Sequence, residues 1–256
     1  MALFTDIDIV TLDDLLEFES SLVQVSSSHG IDVETKIKLA TDAISDKLML
    51  WLLKVGASDP QWLSRRTLGL STVVMTPSLH RWACFDSLSR FFAEAYNVQL
   101  NTRFQSKWTE YQGQAADAAD MVFLSGVGIV YQPLSRPELP AVSITTGNNQ
   151  GQPFFLQTAW ADSFGNESAP SPINAIILPP SSGLTVTTNL VVPPTAIGWN
   201  LYASTTQDGL GRQNVNPIAI GSAWQLPNTG LTSGSPPTGG QQPNFYIPLS
   251  RQIQRG

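Results

Sequence analysis

Apolar residues recur every three or four positions through the first half of the chain, and in short alternating runs through the second. The series Ile37, Ala40, Ile44, Leu48, Trp51, Val55 advances by three or four residues at each step. That spacing puts all six on one stripe of a helix predicted from Asp32 to Gly56. Ahead of it, residues 11–28 predict a single helix. Thr11 is its N-cap, Asp13, Asp14 and Glu17 favour its positive end, and Leu12, Leu15, Leu16, Leu22 and Val23 form its apolar face. Gly30 closes it in the left-handed conformation. Asp59-Pro60 marks a turn into a short helical segment carrying Trp62, Leu63, Arg65 and Arg66. Thr76-Pro77 opens the next helix, with Leu79, Trp82, Phe85, Leu88 and Phe92 at helical spacing to about Tyr96. A last helix runs from Thr102 to about residue 124, with Phe104, Trp108, Tyr111, Ala115, Ala118 and Val122 on one face. These helices hold more large apolar side chains than one stripe can hide. They predict either a compact core or a surface that awaits a neighbouring subunit.

The period changes after Pro140. Ala141–Thr145 reads as a strand closed by Gly147–Asn149, and Phe154–Ala161 as a second strand that turns at Asp162–Asn166. Ile173–Leu178, Leu184–Leu190, Trp199–Ser204, Pro217–Ser222 and Ala223–Leu226 follow, with turn residues between them. About seven short strands in about 90 residues is the profile of an immunoglobulin-like or fibronectin type III β-sandwich.

Composition divides at the same place. Residues 1–140 carry 17 Asp/Glu and 11 Lys/Arg, whereas residues 141–256 carry three of each; five prolines precede residue 141 and 13 follow it. The predicted organisation is a helical domain (1–132), a Pro-rich connector (133–140), a β-sandwich (141–232) and a tail (233–256). The Gly/Pro/Gln-rich stretch 233–243 reads as a flexible linker. The apolar and basic residues after it, among them Phe245, Tyr246, Ile247, Arg251 and Arg255, read as a docking segment.

A net charge of −6 and a pI near 4.8 speak against a protein that grips nucleic-acid phosphates. An acidic surface lets DNA pass without sticking. Cys84 is the only cysteine, so neither an intramolecular disulfide nor a cysteine-based zinc site is expected. The longest unbroken apolar run of the helical part, Leu48–Leu53, is too short for a membrane span, and the first residues lack the basic start of a signal peptide. Synthesis in a cytoplasm is the expectation. The two histidines, His29 and His80, have no motif around them, and no enzyme, metal or cofactor is expected. Asn166-Glu167-Ser168 matches a glycosylation sequon and reads as turn chemistry. Arg65 and Arg66 read as a solvated surface or as interface residues; Arg103 and Lys107 read as a solvated face, as partners of Glu110 or as residues that face a DNA channel.

Two stretches carry resemblances. Gln157–Ser171, with its Asp162…Gly165 turn and Glu167-Ser168-Ala169-Pro170-Ser171, resembles a hairpin of fibronectin type III-like domains, as does Gly198–Thr206. Leu79-His80-Arg81-Trp82-Ala83 followed by Asn101–Tyr111 resembles the head–tail adaptor (connector) proteins of tailed bacteriophages. That resemblance implies a ring, twelve-fold in the family, which docks under the portal protein in the virion neck and lengthens the DNA channel. It also implies a tail, tail-terminator or nozzle protein as second partner. The alternative is a surface module that recognises a host glycan or another virion protein through the β-sandwich. Trp160, Trp199 and Trp224 are its candidate stacking platforms, but the alternation of Trp199 with polar neighbours in a central strand predicts that most of them are core.

Overall fold

The structure, a computed structural model, describes residues 1–6, 9–58, 69–188 and 191–248. Among them, five α-helices precede an antiparallel β-sheet region, the two-part architecture that the change of period predicts. The helices are α1 (Leu12–Phe18), α2 (Leu22–His29), α3 (Val33–Ser58), α4 (Pro77–Gln99) and α5 (Thr102–Ser125). The strands are β1 (Val127–Ile129), β2 (Ala141–Asp162), β3 (Asn174–Thr187), β4 (Ala196–Ser204), β5 (Gly211–Arg212), β6 (Ile218–Ala219), β7 (Trp224–Gln225) and β8 (Phe245–Ile247). They form two compact units. The helical unit is Ile7–Ile129 with Pro243–Gly256, and the β unit is Met1–Asp6 with Val130–Gln242. The first six residues and the tail therefore each leave the half of the sequence that they adjoin.

Local chemistry places the helix ends. Asp14 N–H donates to Thr11 Oγ1 (3.3 Å) while Thr11 N–H donates to Asp14 Oδ2 (2.6 Å), a reciprocal capping box. Thr76 caps α4 with Pro77 behind it, and Asn101, one residue before the predicted cap, accepts from Arg103 N–H at 2.9 Å to start α5. The single helix predicted over 11–28 is two. Glu19 leaves the helical region (φ −140°, ψ 88°) and is buried, held by groups distant in sequence, so tertiary pairing breaks a helix that carries no Gly or Pro there. The short segment predicted after Pro60 lies outside the described residues.

Helix α4 is the axis of the helical unit. It packs against the other four helices and buries Leu79, Trp82, Cys84, Leu88, Phe91 and Phe92, more than one stripe, as a helix enclosed by neighbours requires. From α3, Ala40, Ile44, Leu48 and Trp51 are buried; from α5, Phe104, Tyr111, Ala115, Ala118 and Val122. The chain leaves α5 through β1. That strand pairs antiparallel with β8 (Val127↔Ile247, Ile129↔Phe245) and meets Val73 at Ile129.

In the β unit the strand order is β5-β4-β2-β3-β7, with β6 also on β4. The two short strands predicted around Gly147 are one strand, β2, of 22 residues. It pairs with β3 from Ala141↔Thr187 to Leu156↔Asn174 and with β4 from Phe155↔Ser204 to Asp162↔Ala196. Its register shifts between Thr146 and Gln150, and Ser181 on β3 takes φ +60°. Ile144, the partner of Leu184, precedes Phe154 by ten residues, ~33 Å in a straight strand. Phe154 and Leu184 nevertheless line one cleft. The hairpin thus folds back at this corner, and both arms fill one core: Phe154, Leu156 and Trp160 from β2, Leu184 and Val186 from β3, Trp199 and Leu201 from β4, Trp224 from β7. One bent hydrogen-bonded sheet does here what two facing sheets do in a sandwich.

The Glu167–Ser171 stretch has a physical role. Beyond Asn174 the strand β3 no longer covers β2, which leaves the N–H groups of Thr158 and Trp160 open on that edge. Ser171 Oγ and Ser168 Oγ accept them at 3.0 and 2.9 Å, and the serine N–H groups return bonds to the carbonyls of Thr158 and Trp160. Asp162 organises the preceding turn, accepting from Phe164 N–H, Asn166 N–H and the Asn166 amide at 2.8–2.9 Å. The sequon asparagine is thus engaged in the turn.

The stretch expected to be a flexible linker is tied down on the β unit, and the stiff connector packs there as well. In the connector, Leu134 is fully buried in the β core, and Arg136 donates to Pro170 O at 2.7 Å. The stretch 233–242 runs along the same unit as a strap. Arg212 N–H donates to Ser235 O (2.9 Å), and buried Gln241 bridges Leu134 N–H and Gln132 O. The glycines there serve close approach: a Cβ on Gly234 would lie 2.1 Å from Arg212 O, and one on Gly240 2.3 Å from Met1 O.

Candidate functional site

The charged residues that the sequence offers for contacts divide into three groups. Arg65, Arg66, Arg251 and Arg255 lie outside the described residues. Arg103 is exposed on the first turn of α5. Lys107 is inward-bound: it pairs with Glu19, not Glu110, and its ammonium stands 5.4 Å from the Phe92 ring centroid. Glu19 also accepts from Ser21 Oγ at 2.6 Å and from the Tyr111 hydroxyl at 3.3 Å. Burial works to raise the Glu19 pKa, but the bonds from Lys107 and Ser21 outweigh it and hold the carboxyl below its ordinary value. Lys107 therefore locks the α1–α2 break against α5.

The apolar docking residues of the tail are on a strand. Phe245, Tyr246 and Ile247 form β8 on the chain's own β1; Phe245 and Ile247 are half-buried and Tyr246 is 52% exposed. The proposed stacking platforms are in the core: Trp160 and Trp199 are fully buried and paired across β2 and β4, and Trp224 is 9% exposed. No flat aromatic platform is available at these three positions.

One constellation has the composition of a nucleophilic triad. His80 Nε2 lies 3.5 Å from Asp14 Oδ2, and Cys84 Sγ lies 3.9 and 4.0 Å from the two His80 ring nitrogens. Near-equal distances mean that neither nitrogen is aimed at the sulfur. Cys84 is fully buried, and burial, with Asp14 and Glu17 nearby, pushes its thiol up to about 12. A protonated, enclosed thiol is a packing residue. Among the described residues no group of three or more His, Cys, Asp or Glu is placed to hold a metal ion, and no helix is long and apolar enough to cross a membrane.

A polar cluster centres on Glu167. Its carboxylate accepts from Asn200 Nδ2, from the Tyr202 hydroxyl (2.8 Å) and from Thr238 on the strap (3.2 Å), and Arg212 Nη1 stands 3.6 Å away. Arg212 Nη2 and Asn214 Nδ2 both donate to Asn200 Oδ1 (2.8 and 2.7 Å). Two of the few charges in this half of the sequence thus fasten strap, β4 and β5 together.

Two further surfaces stand out. On the helical unit, Leu50, Leu53, Leu100, Met121 and Leu124 are 51–72% exposed. The unbroken run Leu48–Leu53 carries a visible sign of this, because six consecutive apolar residues cannot all face one side of a helix. On the β unit, a cleft of about 580 Å³ opens at the corner of the β2–β3 hairpin against the turn 227–230. Its lining comes from three separated stretches, so spacing could not reveal it. Comparison with protein-family models, with curated proteins and with solved structures finds no match to this chain.

Proposed function

We propose that the chain is a structural virion protein, a head–tail adaptor whose helical unit forms a ring below the portal and offers a docking surface to a tail protein. The sequence likeness of Leu79–Ala83 and Asn101–Tyr111 to that family motivates the reading. The observation that carries it is a set of exposed aliphatic side chains on α3, α5 and the α4 C-cap: Leu50, Leu53, Leu100, Met121 and Leu124 stand in water, whereas Trp51, Trp82, Phe91, Phe92 and Phe104 are buried. Large exposed aliphatic side chains on an otherwise well-filled bundle are what repeated subunit contacts cover. The net charge of −6 accords with a channel that DNA traverses without adhering. The β unit is an accessory on this reading.

The test is quantitative mass spectrometry of purified particles, paired with the oligomeric state of the pure protein. A copy number equal to the portal's, and loss of ring assembly in Leu50→Ser/Leu53→Ser with helical content unchanged, are the expected results. Absence from particles, or abundance matching the major capsid protein, would sink the adaptor reading.

A further inference from the structure

The cleft at the hairpin corner is distinctive for what it lacks. None of its 17 lining residues is ionisable. Six side-chain amides (Asn148, Asn149, Gln150, Gln152, Gln225 and Asn228) and four hydroxyls surround an apolar floor of Phe154, Leu184 and Leu226. Its volume of about 580 Å³ falls within the ~300–1,000 Å³ range of small-ligand sites. Asn149 adds a direct sign of unmet hydrogen bonding. Its Oδ1 accepts from Gly151 N–H at 3.3 Å, while its Nδ2 is buried without a partner.

Each amide both donates and accepts, and so does each hydroxyl. A ligand that matches such a wall presents many groups that do both at short intervals around a partly apolar frame. That describes a sugar, with its hydroxyls at the edge and its C–H face towards Phe154 and the leucines. A charged ligand would surrender its hydration here for no counter-charge. A peptide offers its backbone polar groups only at alternate positions along each edge.

We propose that this cleft binds a neutral oligosaccharide segment. Trp160, Trp199 and Trp224 are buried, so recognition runs through amides and not through an exposed aromatic face at those positions. The site belongs to the β unit and stands apart from the adaptor reading, since sugar binding neither requires nor reports a ring.

The experiment is isothermal titration of the full chain with maltohexaose, cellohexaose and chitohexaose, and with a heparin hexasaccharide and a Gly/Ser/Asn hexapeptide as contrasts. Saturable binding of at least one neutral sugar, unchanged between low and high salt, is expected. Gln152→Ala on β2 and Asn228→Ala on the exposed turn should each weaken it roughly fivefold, the loss of about one hydrogen bond. The turn variant keeps the test intact if the strand variant misfolds, with circular dichroism as the check. No binding of any neutral sugar at millimolar concentration, binding indifferent to both variants, or preference for the heparin or peptide probe would overturn the proposal.

Discussion

The ammonium of Lys107 on α5 closes on the carboxylate of Glu19, 88 residues earlier in the chain, at the point where α1 gives way to α2. Glu19 is only 8% exposed and Lys107 28%, so removal of the cation strands a largely buried anion. Lys107→Met should cost about 2 kcal/mol in urea unfolding, a value reduced for the partial exposure of the lysine. A cost below about 0.5 kcal/mol, the size of an ordinary surface change, would release Lys107 for an interface or channel role.

The same pair sets an acid dependence. A carboxyl held below its ordinary value of 4.5 contributes stability that is present above that pH and drains away as pH falls through the folded value. The melting temperature of the wild type should therefore fall more steeply below about pH 4.5 than that of Lys107→Met. Parallel curves would mean that Lys107 does not set the titration of Glu19.

Tyr202 titrates at the other end of the scale. Burial, and then the bond to Glu167, raise its pKa well above the ordinary 10. A raised pKa gives stability that is complete below pH 10 and is lost as pH climbs beyond it. Tyr202→Phe should cost about 1–2 kcal/mol at pH 8, where Glu167 loses a donor. The gap between variant and wild type should then narrow above pH 10 in thermal melts; a gap constant with pH would detach Tyr202 from the network.

Cys84 should be slow to react. With the thiol fully buried and its pKa pushed up to about 12, alkylation by iodoacetamide at pH 8 should be negligible in the native protein and rapid in urea. Prompt native labelling, read by intact mass, would place the sulfur at the surface.

The strap has its own test. A methyl on Gly234 would meet the carbonyl of Arg212 at 2.1 Å, so Gly234→Ala must lift the strap or shift β5. Hydrogen exchange should quicken over 233–242 and at Arg212, with a loss of about 1–3 kcal/mol. Unchanged protection would show the strap to be free to move aside.

Much of the helical half can be read from spacing and caps. The stripe from Ala40 to Trp51, the Thr11 and Thr76 caps and the Gly30 stop all depend on residues within a turn or two of one another, and all appear in the structure. What escapes reading depends on partners far away. The α1–α2 break is enforced by Lys107; the join of two strands into β2 is enforced by β3, which pairs with it on both sides of the irregularity at 147–149. Composition misleads most in 233–243, where glycine marks crowding against Arg212 and Met1 and the glutamine at 241 is a buried bracket. The cleft depends on a corner that brings 145–154 to 225–230, a proximity that no local pattern encodes.

Ile129 and Phe245 face each other across the β1–β8 ladder, and the chain of the β unit departs after one and returns before the other. Partners in an antiparallel ladder lie ~5 Å apart, a gap that a two-residue turn closes. The β unit is thus a guest spliced into a hairpin of its host. A short turn joining Ile129 to Phe245 would make the helical unit continuous, and only Met1–Asp6, which folds with the guest, would be given up alongside it. The register of the host ladder is thus set by β1 and β8 themselves and does not depend on the length of chain spliced between them.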